Sequence, residues 1–317
     1  MGVRGILAAT IFLTLTVCVI GFMVGAIEYV LSVPHTLDAL ASFRFMIFFG
    51  LISLILGALI PFFKNYPVIL LWRAVTQWIG ELGVVVFAGT LLPALHSVIR
   101  SVYVVERGER IAPTVLSTMR ILVGIYAFYT ALGTILFMLG GMGFFDALAH
   151  SMTAIATGGM STSSLSVGYW FRGNNWAIYT ATIIIMVLGA FNFVDHVALL
   201  KGRLREFISS IEVKGFFLFL ALFTIPLVIM PFMQGDIHEV AVRFYHLVSG
   251  YTTTGFQLGS SEILRNEPDY VKMITVFSMI VGGATFSTAG GIKIKRMVIL
   301  LKALVWESAR LFAPPTM

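Results

Sequence analysis

Long apolar runs separated by short polar stretches set the pattern of this chain, and they fall into two length classes. The runs at 5–27, 45–63, 67–94, 121–139, 177–200 and 216–232, and one from Val271 onward, are near the roughly 20 residues that a helix needs to cross a bilayer. The segments at 143–156 and 239–250 are too short for that. Each short segment follows a spanning run and ends in a turn rich in glycine and threonine, Thr157-Gly158-Gly159-Met160-Ser161-Thr162 in one case and Thr252-Thr253-Thr254-Gly255-Phe256 in the other. A further spanning run comes next. The order helix, half-length helix, Gly/Thr turn, helix thus occurs twice, and aligning Gly159 with Gly255 gives a period of 255 − 159 = 96 residues.

Composition agrees with the pattern and excludes a soluble enzyme. The chain is 58% hydrophobic and 11% charged, with a mean hydropathy of +0.95, whereas a soluble domain carries about 25% charged residues to cover its surface. The predicted fold class is all-α, a polytopic membrane protein with about seven crossings and two re-entrant half-helices. The formal net charge of +6 arises from bases concentrated at 99–120, 200–214 and 293–310. Such clusters mark cytoplasmic loops rather than a nucleic-acid surface, so both turns enter from the outer side, the amino terminus lies outside, and the protein belongs in the plasma membrane. The single cysteine, Cys18, sits in an apolar run and excludes an intrachain disulfide. No catalytic constellation, metal-ligand spacing or phosphate-cradling glycine loop is recognisable, so neither an enzyme nor a cofactor is expected.

The two turns carry the chemistry. Non-helical backbone at membrane depth leaves carbonyls without partners unless it lines a water-filled path or meets an ion. A half-helix ending near the bilayer middle aims its carbonyl-end partial negative charge inward, which favours a cation there, and the turn offers backbone oxygens in place of a hydration shell. Thr157, Gly158, Gly159 and Met160, with Thr253, Thr254, Gly255 and Phe256, are therefore the candidate ion-filter residues, glycine being needed where the backbone takes a positive φ. Ordinary extracellular turns are the alternative for either stretch alone, and a matched pair weakens it.

These residues resemble a family. His150 to Thr162 is similar to the second filter unit of the Trk-type potassium uptake proteins, in the superfamily of the Ktr and HKT transporters, and Thr252 to Phe256 to the third. The stretches Leu71-Trp72-Arg73-Ala74-Val75-Thr76-Gln77-Trp78 and Gly189-Ala190-Phe191-Asn192-Phe193 resemble the helices after the first and second filters. Gly282 to Lys293 resembles the glycine-rich stretch after the third, and the resemblance covers roughly 43–313. It implies a pore of four helix–filter–helix units conducting potassium, with some passage of sodium or rubidium. It also implies an intramembrane gate at Gly282, Gly283, Ala284, Thr285, Ser287, Thr288, Gly290 and Gly291, beside Asn192. The alternative for these glycines is close helix packing. A cytoplasmic nucleotide-binding regulatory subunit is an implied partner.

The expected organisation is an N-terminal helix and loop at 1–42, a first pore-type unit at 43–98, a second at 99–200, a third with the gate at 201–292, and a C-terminal interfacial helix at 293–317. The first unit departs from the family pattern, because only Lys64-Asn65-Tyr66 separates its helices and no filter fits there; a fourth unit, and the arginine that the family places in it, are also missing from the sequence. Two turns do not surround an ion, which leaves three readings open: a homodimer, a second chain supplying the remaining units, or a degenerate or truncated product that does not conduct; the rival from another class is a non-conducting membrane subunit of a fuller transporter. A secondary transporter for organic solutes is discouraged by the lack of a charged substrate cluster. Arg73, Gln77 and Glu81 share one helix face, and Glu81 is expected to pair with Arg73 or another chain. Asp146 is expected to cap the first half-helix, and Asp195 and His196 to be solvated at a helix end.

Overall fold

The computed structural model describes residues 67–90, 115–259 and 261–311. The runs expected at 5–27 and 45–63 and the turn at 64–66 lie outside the described residues. The chain divides into two compact units, Met1–Val75 and Thr76–Met317, and the second carries the features below. Among the described residues the regular elements are helices, with two isolated bridges besides. Helix α1 (Pro67–Thr90) is followed by α2 (Val115–Leu139), the half-length α3 (Phe144–Ile155), a 3₁₀ turn, α4 (Trp176–Ala190), α5 (Phe193–Leu200) and α6 (Leu204–Ser209). Then come α7 (Ile211–Met233), α8 (Ile237–Tyr251), α9 (Ser261–Asn266), α10 (Asp269–Ile280) and α11 (Ile294–Leu311).

The repeat is visible in this order, α2–α3–turn–α4 matching α7–α8–turn–α10. Among the described residues two helices, Arg120–Leu139 and Ile211–Met233, are long and apolar enough to cross a membrane, and Trp176–Ala190 with Phe193–Leu200 would make a third if they formed one span. They do not form a straight one. The apolar run at 177–200 reads as a single crossing, yet the chain turns by 116° between α4 and α5. Asn192 causes the break, its side chain capping α5 by accepting from Val194 N at 2.9 Å. A second expected crossing, from Val271 onward, likewise stops at Ile280.

A break at membrane depth frees carbonyls that need donors. All three at the end of α4 find one. Leu188 O meets the His196 ring at 2.8 Å, Gly189 O accepts from the Thr288 hydroxyl at 2.8 Å, and Ala190 O accepts from Ala284 N at 2.9 Å. His196 is thus buried and braced by Tyr129 Oη at 3.0 Å, not solvated, because its ring spans the break. Replacing His196 by Phe removes the ring partner of Leu188 O, which keeps Phe191 N at 3.2 Å, and is expected to lower stability by about 1 kcal/mol, read as a lower melting temperature of the purified protein in detergent.

Elsewhere the same accounting holds. Pro231 inside α7 removes the N–H that would serve Leu227 O, and Arg243 Nη1 reaches that carbonyl at 3.4 Å. Arg243 is buried, pairs with Glu239, meets Glu267 at 3.1 Å, and donates to Tyr270 Oη at 3.0 Å. The half-helix α3 is pinned to α2 where Ser151 Oγ donates to Thr130 O at 2.6 Å. Gly133 allows that approach, because a Cβ there would lie 2.4 Å from the Ser151 hydroxyl.

Candidate functional site

The two turns have one backbone conformation. After α3, Thr157 N donates to Ala154 O (3.0 Å), Gly158 N to Thr153 O (2.9 Å) and Gly159 N to the same carbonyl (3.3 Å). After α8, Thr253 N donates to Gly250 O (2.9 Å), Thr254 N to Ser249 O (2.9 Å) and Gly255 N to the same carbonyl (3.3 Å). Each pair of residues differs by 96 in number. Thr157 (φ 47°) and Thr253 (φ 58°) are left-handed non-glycine residues, and Gly159 (φ 65°) and Gly255 (φ 91°) repeat that hand two positions later. A left-handed threonine costs about 1–2 kcal/mol, so each turn stores strain that other contacts must offset.

This winding collects the N–H groups on the half-helix side and leaves the carbonyls to face away. Among the described residues no donor reaches the carbonyl oxygens of Thr157, Gly158 and Gly159, or of Thr253, Thr254 and Gly255. Both half-helices end at these turns, adding the partial negative charge of their carbonyl ends. The turns abut directly: a Cβ on Gly159 would lie 2.1 Å from Thr254 O. On the other side Gln77 of α1 presses on Gly158, where a Cβ would meet its amide nitrogen at 1.5 Å. Gly255 faces open space, with no atom within 4 Å of such a Cβ.

The last residues of the turns differ. Met160 is exposed, and its carbonyl accepts from Thr153 Oγ1 at 2.8 Å. Phe256 is buried, with the His150 ring 5.7 Å away. Two histidines, also 96 residues apart, brace the exits. His150 Nε2 lies 2.8 Å from Ser161 Oγ, and His246 Nε2 accepts from Leu258 N at 3.2 Å. Asp146 makes no N-terminal cap, since the N-cap position is Gly143 without a side-chain bond. Its carboxyl instead accepts from Thr162 Oγ1 at 2.6 Å, latching the exit of the first turn.

Beneath the turns, residues 281–293 run between α10 and α11 without helix, and all from Val281 to Ala289 are buried. The loop doubles back on itself through Gly282 N to Ile292 O (3.0 Å) and Ile292 N to Ile280 O (2.8 Å). The glycines serve that close approach: a Cβ on Gly282 would lie 1.7 Å from Gly290 O. Helix packing by small residues is not their role here, because the segment is not helical. Thr288, Ala284 and Phe286 tie the loop to the α4–α5 break, Phe286 O accepting from Phe193 N at 3.2 Å.

One anchor escapes a reading of the sequence. Glu212, in the first turn of α7, is 4% exposed. Its carboxyl accepts from Asn192 Nδ2 at 2.8 Å, from Thr285 N at 2.9 Å, and from the Thr285 hydroxyl. It therefore joins the α4–α5 break to the loop. Asn192 is thus joined through Glu212 to the loop at 281–293.

The model of the TrkH cation transport protein family matches residues 58–317. A cation transporter of Methanocaldococcus jannaschii is 34% identical over 247 residues, 78% of this chain and 49% of that protein. The Trk system potassium uptake protein TrkH of Halomonas elongata is 31% identical over 255 residues, covering 78% and 52% respectively. TrkH of Escherichia coli K12 is 28% identical over 301 residues, covering 92% and 61%. The chain thus spans about half to three fifths of the length of these relatives. The crystal structure of the potassium transporter TrkH from Vibrio parahaemolyticus matches with a TM-score of 0.69 at 21% identity, over 100% of this chain and 78% of that one. The all-helical membrane fold is shared with that structure, and this multi-pass chain belongs to the TrkH family of cation transport proteins.

Proposed function

We propose that the chain moves potassium, with sodium and rubidium as lesser cargo, down the electrochemical gradient across the plasma membrane, through filters at 157–160 and 253–256. The carrying observation is the matched pair of turns: identical donors, the same left-handed positions, and six carbonyl oxygens without a donor among the described residues. Oxygens so placed substitute for the water shell of a monovalent cation. The relatives named as potassium uptake proteins support potassium as the cargo. The loop at 281–293, running directly beneath both turns, acts as the gate.

Two turns contribute two sides of an oxygen cage. A closed cage needs more oxygens than these two turns hold, and a second copy of the chain or another polypeptide is the proposed source. Helix α11, exposed along most of its length and bearing Lys295, Arg296 and Lys302, is the surface offered on the cytoplasmic side to headgroups and to a nucleotide-binding regulatory subunit.

Growth of a transport-deficient host on limiting potassium tests this reading. The parent chain is expected to restore growth, and Gly255→Ser to abolish it, because the new hydroxymethyl group enters the open space beside the turn. Growth of both Gly159→Ser and Gly255→Ser strains at the parent rate would overturn the filter assignment.

A further inference from the structure

The loop touches the two turns at equivalent atoms. Thr157 Oγ1 donates to Thr288 Oγ1 at 3.3 Å, and Gly290 N donates to Thr253 Oγ1 at 2.7 Å. Thr157 and Thr253 are the innermost residues of their turns, 96 apart and both left-handed. Residues two apart in the loop therefore hold the hydroxyl of the same position in each repeat.

Thr288 is itself fixed in direction. Its proton points at Ile155 O (2.9 Å) and Gly189 O (2.8 Å), which are the last carbonyl of the half-helix α3 and a carbonyl freed by the α4 break. Its lone pair then receives the Thr157 proton. The loop does not need this contact to stay in place, since Glu212, Ala190 and Phe193 already hold it. A threonine hydroxyl at the inner end of a turn has one proton and two lone pairs. Where its proton goes decides whether a lone pair faces the cation, and the spacing and field of such oxygens set which cation fits.

Resting on the filter reading above, we propose that the loop forms part of the innermost cation site and that Thr288 is a specificity-determining residue, orienting the Thr157 hydroxyl by accepting its proton, while the Gly290 N–H fixes the Thr253 hydroxyl from the other side, by donating to its oxygen. The loop then sets cation preference as well as passage. Loss of the Thr288 hydroxyl frees Thr157 to rotate, and the inner site loses its discrimination between potassium and sodium.

The test uses the purified full chain in detergent, melted in potassium chloride and in sodium chloride of equal concentration. A cation bound to the folded state raises the melting temperature, so the parent is expected to melt higher in potassium. Thr288→Val and Thr288→Ala, two hydroxyl-free variants of different bulk, are expected to lose that difference, and Thr288→Ser to keep it. If both hydroxyl-free variants melt lower in either salt but retain the full difference, Thr288 is merely structural and this inference is overturned while the filters stand. If the parent melts alike in both salts, the filter reading falls and takes this one with it.

Discussion

Glu212→Ala is expected to unlock the loop at 281–293 before it unfolds the rest of the protein. The carboxyl is the acceptor for Asn192 Nδ2, Thr285 N and the Thr285 hydroxyl, all from segments remote in sequence. The hydroxyl is free to turn to another acceptor, but the buried amide N–H and the Asn192 side chain are not. At about 1–3 kcal/mol for each orphaned buried donor, the loss is on the order of 3 kcal/mol. It is concentrated where the loop meets α7. Hydrogen exchange should therefore accelerate at Thr285 and its neighbours by roughly a hundredfold, as about 1.4 kcal/mol per factor of ten requires, while the α2 amides exchange as before. Glu212→Gln retains one acceptor oxygen and turns an NH₂ group toward existing donors, so an intermediate effect is expected. Unchanged exchange at Thr285 in the alanine variant would remove Glu212 as the anchor.

Gly159→Ala and Gly255→Ala should differ sharply even though the two glycines occupy the same place in the repeat. Both have positive φ, which costs an alanine about 1–2 kcal/mol. At Gly159 the methyl group also lands 2.1 Å from Thr254 O, so the two turns must separate. Forced overpacking adds about 1–3 kcal/mol. At Gly255 nothing lies within 4 Å. The Gly159 variant is thus expected to melt well below the parent, and the Gly255 variant only slightly below it. Equal melting temperatures for the two variants would contradict the direct contact between the turns.

The repeat and the half-helices were legible because their signals are local. A short apolar segment followed by Thr-Gly is ambiguous once and informative when it occurs twice, and the period of 96 residues returns in the backbone as matched hydrogen bonds and matched left-handed residues. The 116° bend was not legible, because the run through 177–200 stays apolar across it. Its one sequence signal was Asn192, a residue that caps helices better than it continues them. Glu212 was hidden for a different reason. Its partner Thr285 is 73 residues away, and an acid beside Arg203, Arg205 and Lys214 looks like part of a solvated loop. Asp146 had the right neighbourhood and the wrong bond, since the start of a half-helix favours a carboxylate there whether it caps an N–H or accepts the Thr162 hydroxyl. Where a contact closes within a turn the residues foretold it, and where it closes between distant elements they did not.

Rubidium uptake into proteoliposomes tests the filters most directly, with the parent chain and Gly255→Ser reconstituted at equal density. The two turns predict uptake by the parent that added potassium suppresses, and none above empty vesicles for Gly255→Ser, where the positive φ is strained but no atom lies within 4 Å of the new Cβ. Uptake by the two proteins at the same rate would contradict cation passage through these turns.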